Sequence, residues 1–172
     1  KTKSLLLLVL FSFLLRLVTV YFFADTHIEN EWNILLQNLI NYKSYSYYVF
    51  DNQLIPSVYM PPMYAFFLYL VKTLTNFNQP NLLYAIFIIQ IVLSTYGVYV
   101  FYQINQNFFS NKISFINSII FSIVPLNIYY SGQISSINLQ IIFSLLFLKF
   151  LLLIIKKKNP KNIFLFSIIS GL

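Results

Sequence analysis

Long apolar runs separated by short polar connections organise this chain. A helix needs about 20 apolar residues to cross the hydrocarbon core of a membrane. The runs predict spans over about 4–24, 82–104, 113–130 and 134–155, with an incomplete one over 163–172. Pro125 falls in the last turns of the third and ends or kinks it. Two weaker patterns lie between the first and second spans. In "IENEWNILLQNLI", Ile28, Leu35, Leu36, Leu39 and Ile40 gather near one helical face and Trp32 joins them. This predicts an amphipathic helix over about 28–41, lying on the membrane surface, with Asp25 or Thr26 as its cap. The run "PPMYAFFLYLVKTL", about 61–74, would be roughly 21 Å long as a helix. It is short for a crossing and contains Lys72. Its two prolines suit the first turn of a new helix, so it is predicted to be interfacial or re-entrant. The aromatic run "YKSYSYYVF" fits the same interface. The expected fold class is all-α: a polytopic integral membrane helical bundle with extracytoplasmic juxtamembrane helices in the first outer loop.

Composition fixes the solvent. Hydrophobic residues make up 59% of the chain and charged residues 9%, against roughly 25% charged in a soluble domain. So few polar groups cannot cover a water-facing surface. Cysteine is absent and gives no redox information. The chain starts at Lys1 and ends inside the apolar run "IFLFSIISGL". Residues 1–172 are therefore expected to be the N-terminal part of a single transmembrane domain in a longer protein. The first run is too long for a signal peptide, has Arg16 in its interior, and lacks a small-residue cleavage site before "YFFADT".

Charge orients the spans. Residues 25–60 carry Asp25, Glu29, Glu31, Asp51 and Lys43, a sum of −3, and the rest of the chain is +10 without an acid. That distribution points to the positive-inside rule and away from nucleic acid. If 61–74 crossed, with the N-terminus cytoplasmic, "KKKNPK" at 156–161 would lie outside. If it does not cross, Lys1, Lys3, Lys112 and 156–161 are all cytoplasmic, with Lys149 near that end. The acidic 25–60 segment and "YSGQISS" are then outside. The second arrangement is preferred, with the protein in a bacterial inner membrane.

Candidate chemistry concentrates in "DTHIENEW", residues 25–32. It holds three of the four carboxylates (Asp25, Glu29, Glu31), the only histidine, His27, and the only tryptophan, Trp32. Arg16 lies about 12 residues into the first span. An arginine in lipid costs several kcal/mol and is a functional candidate by default.

"IENEWNILLQNLINYKSYSY" followed by "PSVYMPPMYAFFLYL" resembles the GT-C superfamily of polytopic glycosyltransferases that use polyprenyl-phosphate sugars. Within it, the protein-mannosyltransferase and aminoarabinose-transferase branch is the most similar. That branch shows an acidic pair, an aromatic, "A-x-N-L", an aromatic turn and a Pro-Pro-aromatic helix. Trp32 stands at the aromatic, Leu36 at the alanine, Asn38 and Leu39 at "NL", Tyr45 at the turn, and Pro61, Pro62 and Tyr64 at "PP-x-Y". "FSIVPLNIYYSGQISSINL" resembles the branch's next outer connection. Two positions depart: Ile28 replaces the Asp of the pair, and Ile137 and Asn138 stand where a further acid is usual.

The resemblance implies an inverting transferase acting on the extracytoplasmic side, with a lipid-linked sugar donor and an acceptor lipid, glycan or protein. Glu29, then Glu31, would be the catalytic base. Arg16, Tyr64 and Asn138 would bind substrate, Arg16 holding the leaving phosphate. No cofactor is fixed, a divalent metal being the one candidate. His27 and Glu31 at i, i+4 are its weak ligand candidates, but zinc sites usually need three protein ligands, which favours a solvated loop histidine. Without the resemblance, the acids read as solvated helix-start residues and the tyrosines of 42–48 as interface anchors. The rival function is a non-catalytic membrane protein, either a transporter subunit or a lipid-binding homologue. The scarcity of ionisable groups and of Gly or Pro within the later spans speaks against transport.

Overall fold

The computed structural model describes residues 2–171 apart from Glu29, Asp51, Asn52, 57–59, Lys157 and Lys158. It is helical throughout except for one hairpin, as expected of an all-α membrane protein. Two compact units are present: a helical unit of residues 1–24, 89–133 and 137–172, and a second unit of residues 25–88 and 134–136.

In the helical unit, α1 (Thr2–Phe23) is apolar almost all round. Its buried stripe is Leu8, Ser12 and Arg16, one residue per turn. α4 (Asn81–Asn105) begins in the second unit and continues into this one. Ser110 caps α5 (Asn111–Ile123), its hydroxyl accepting from the Ile113 N–H. The buried positions of α5 are Ser114, Ser118 and Ser122, again one per turn, while Ile113, Ile116, Ile120 and Ile123 are exposed. Small residues let helix backbones approach closely in lipid, and the branched side chains are left to the acyl chains.

The third predicted span is not one helix. α5 stops at Ile123, Val124 turns to an extended ψ of 119°, and α6 (Pro125–Tyr129) restarts with its proline in the first turn. The two pieces meet at 61°. Proline has no N–H and forces the preceding residue out of the helical region, so the helix breaks rather than merely ending. A 3₁₀ turn, Tyr130–Gly132, follows. A Cβ on Gly132 would come within 3.3 Å of the Ala24 Cα and the Val20 Cγ2, so this close approach to the end of α1 suits glycine. α7 (Ile137–Lys156) pairs with α8 (Pro160–Ser170), which Asn159 caps. Among the described residues, α1, α4 and α7 are long and apolar enough to cross a membrane; the bent α5–α6 pair would be a fourth.

In the second unit, α2 (Asn30–Tyr42) packs Leu35 and Leu39 on Ala65 of α3 (Pro62–Thr75). Helix α2 ends where Lys43 takes a left-handed φ of 54°. It begins at Asn30, so Ile28 is buried ahead of the helix and Asp25 and Thr26 are too far upstream to cap it. The aromatic run read as fitting the membrane interface forms strand β1 (Ser46–Phe50), antiparallel to β2 (Gln53–Pro56). Tyr48, Val49 and Phe50 are residue types favoured on a pleated ribbon. Helix α3 buries Tyr64, Ala65, Leu68 and Val71, and Asn76 closes it in the left-handed region. Lys72 turns its ammonium to the Phe77 carbonyl (2.7 Å) and the Asn78 side chain (2.9 Å) just past the helix end, where positive charge meets the dipole favourably.

Candidate functional site

The second unit gathers the acidic segment, the Pro-Pro-aromatic helix and the 134–136 connection. Its centre is Tyr64, placed by the first turn of α3 and fully buried. Trp32 of α2 meets the Tyr64 ring edge-on at 4.8 Å, and the Phe67 ring lies 5.6 Å from it. Burial pushes the Tyr64 phenol above its ordinary value, the Asp25 carboxylate raises it further, and a backbone hydrogen bond with Ser135 works the other way. Tyr64 therefore stays a neutral phenol at physiological pH.

Asp25 is the described carboxylate with a defined seat. Its Oδ2 accepts the Ile134 N–H at 2.7 Å, a charge-assisted bond to backbone 109 residues away. The reading of Asp25 as a local helix cap is thus corrected.

The rest of the unit is held by side chains at the turn motifs. The Asn38 amide donates to the Ser46 carbonyl at 2.8 Å, and the Tyr45 hydroxyl donates to the Met60 carbonyl at 2.6 Å. Tyr45 also stacks on Phe66 at 6.1 Å. Partial burial raises the Tyr45 phenol as well. These bonds tie α2, the hairpin and the start of α3 into one piece. They explain why an asparagine and a tyrosine stand at those positions.

Of the expected catalytic residues, Glu29 lies outside the described residues. Glu31 is in the first turn of α2 and half-buried. His27 is exposed, its Nε2 lying 3.2 Å from the Thr26 hydroxyl. Among the described residues no three of His, Cys, Asp or Glu come together as a metal site. The expected substrate contacts Arg16, Tyr64 and Asn138 are all buried. Asn138, in the helical unit, donates to the Gln90 carbonyl at 3.0 Å. Gln90 in turn donates to the carbonyls of Ser131 and Gln133 at 3.2 and 3.0 Å. Asn138 and Gln90 thus hold the connection that follows α6. A cavity of about 440 Å³ lined by residues of α1 and α4, among them Phe13, Val92 and Tyr96, is almost wholly apolar and has no carboxylate or histidine in its lining.

The model of the dolichyl-phosphate-mannose-protein mannosyltransferase family matches residues 59–172. No curated protein and no solved structure matches the chain.

Proposed function

The chain belongs to the dolichyl-phosphate-mannose-protein mannosyltransferase family, of GT-C type, and from that premise we propose that it moves a sugar from a polyprenyl-phosphate donor to an acceptor at the extracytoplasmic face, with inversion. Membership makes it an integral membrane glycosyltransferase that uses a lipid-linked sugar. The proposal adds the face, the stereochemistry, the residues and the bacterial inner membrane. The observation that carries it is the second unit itself. Two residues of the acidic segment are held in place: Asp25 is bonded to the 134–136 connection and Trp32 packs on the buried Tyr64.

The reaction needs one carboxylate and one leaving phosphate. The acceptor hydroxyl attacks the anomeric carbon from the face opposite the phosphate. A carboxylate takes its proton, the new C–O bond forms, and the bond to the phosphate oxygen breaks with its electron pair on polyprenyl phosphate. Glu29 is the base by register with the family pattern, and Glu31 is the second choice. In this reading Asp25 and Tyr64 position the segment, and Asn138 holds the connection after α6 through Gln90. The divalent metal considered from the sequence has no three-ligand site among the described residues.

Turnover of a lipid-linked sugar by the full chain in membranes tests the chemistry. Glu29→Gln keeps the shape and removes the base, so it should lower the rate by ~10²–10⁴ with insertion intact, and Glu31→Gln should do less. Full turnover in both variants and in the double would sink the carboxylate assignment. Sidedness has its own test. Residues 1–172 hold no cysteine, so Thr26→Cys and Asn159→Cys each give this segment a single thiol. With the N-terminus cytoplasmic, an impermeant thiol reagent outside should label Cys at 26 and not at 159; labelling of both would overturn the orientation.

A further inference from the structure

The break between α5 and α6 frees backbone carbonyls at a place where water is scarce. Pro125 offers no N–H to the Phe121 carbonyl, and the turn at Val124 takes the Leu126 N–H away from the Ser122 carbonyl. In hydrocarbon such groups must find donors inside the protein. Two side chains lie against them. The Asn127 amide is 3.5 Å from the Phe121 carbonyl, and Arg16 Nη1 is 3.4 Å from the Ser122 carbonyl.

Arg16 does more than meet one carbonyl. Its Nε donates to the Ser94 hydroxyl at 2.7 Å, and that hydroxyl donates to the Asn127 carbonyl at 3.4 Å. Nη1 also donates to the Ser12 hydroxyl and, at 3.1 Å, to the Ser12 carbonyl. One guanidinium of α1 therefore touches both sides of the break, α5 directly and α6 through Ser94 of α4. The side chain is fully buried, and none of its hydrogen-bond partners is a carboxylate. Nη2 has no partner among the described residues. Oxygen dipoles from three helices surround a cation that has no described counter-charge.

We propose that Arg16 is a positioning residue: its guanidinium clasps the broken α5–α6 span, replacing the helix hydrogen bonds lost at Pro125 and fixing the bend that leads into the Tyr130–Gly132 turn. The planar fork matters here. Nε and Nη1 point at different helices at once, which a compact lysine ammonium cannot reproduce. A donor phosphate at Arg16 is the competing occupant. It would need this buried fork to open and its serine and carbonyl partners to be released.

A double-mutant cycle on the full chain in detergent separates the two roles. Pro125→Ala restores the N–H and lets the helix close over 121–126, so the clasp loses its purpose. Arg16→Gln should lower the thermal midpoint by about 4 °C or more in the native background and by much less beside Pro125→Ala. Equal losses in both backgrounds would overturn the proposal. Ser94→Ala is a milder cut in the same chain of bonds; its loss should shrink beside Pro125→Ala in the same way, and a loss independent of background would count against the clasp. A second readout does not need Pro125→Ala. Spin labels on cysteines at the exposed positions Ile113 and Tyr129 report the bend directly, and Arg16→Gln should broaden their distance distribution. An unchanged distribution, with the donor KM raised tenfold or more, would assign Arg16 to phosphate. The stability and distance readouts stand whether or not the transferase reading holds.

Discussion

The two units of this protein differ in how many polar side chains they bury: the helical unit buries them beside apolar ones such as Leu8, Val98 and Leu139, and the second unit buries mainly apolar ones. In the helical unit the buried positions include Ser12, Arg16, Ser114, Ser118, Ser122, Ser131 and Asn138, while Leu6, Leu7, Phe11, Val18 and Ile120 are exposed. In the second unit the buried side chains are mostly apolar, among them Leu35, Leu36, Leu39, Tyr64, Ala65, Leu68 and Val71, with Ser46 a polar exception. The difference teaches which solvent each unit answers to. Where lipid surrounds the helices, apolar side chains gain nothing by turning inward, and polar groups must turn inward to find partners. Where water is near, apolar burial again drives packing. The second unit is thus packed like the core of a small water-facing domain.

Truncation of apolar side chains should expose that difference most sharply. Leu35 has no exposed surface and packs with Leu39 and Ala65. Leu35→Ala should cost about 2–5 kcal/mol, the range for a buried leucine. Leu7, in α1, is 65% exposed, and Leu7→Ala should change stability by less than about 0.5 kcal/mol. Chemical unfolding of the two variants in one detergent gives the comparison. Similar losses at both positions would mean that the α1 face is covered by protein, and the inside-out account of the helical unit would fail.

The helical membrane class was legible because hydropathy integrates over 20-residue windows, and a chain with 9% charged residues has no other stable solvent. The family was legible from the order of the Trp32, Asn38, Tyr45 and Pro-Pro-Tyr64 signals, and the family match bears the family out over residues 59–172, which hold the last of those signals. What escaped reading is local or long-range. The hairpin was hidden because Tyr and Phe at 47–50 serve an interface and a strand equally well. Pro125 was read as ending or kinking the third span, but the restart of a second helix at the proline was hidden, because hydropathy does not distinguish a kinked helix from two helices. The Ser114, Ser118 and Ser122 stripe carries no weight in an apolar-face search, since its meaning appears only once lipid is the outside. Asp25 was taken with its neighbours in sequence, whereas its partner Ile134 lies 109 residues away. Arg16 stood out as a charge in a span, but Ser94 and Ser122 became its partners only through the fold.

Tyr64 offers the smallest and most specific test of the second unit. Its phenol is raised above the ordinary value of 10.0 first by burial and then by Asp25. In the unfolded chain the same group ionises near 10. Below that pH both states are protonated, and the group adds no pH dependence. As pH rises past 10 the unfolded state loses the proton while the folded state keeps it, so stability is at its full value below 10 and falls toward the raised folded value. Tyr64→Phe removes the titration and the hydrogen bond with Ser135 together. At pH 7 it should therefore cost about 1 kcal/mol, the usual net worth of one hydrogen bond. Above pH 10 the Phe variant should lose less stability per pH step than the native protein, so the two curves should converge. Midpoints of denaturant unfolding at pH 7, 9, 10 and 11 follow both effects. If the two proteins run parallel through that range, the phenol is not the buried neutral group beside Asp25 described here. The second unit would then be wetter at its centre than the helical unit, and the contrast between the two would have to be redrawn.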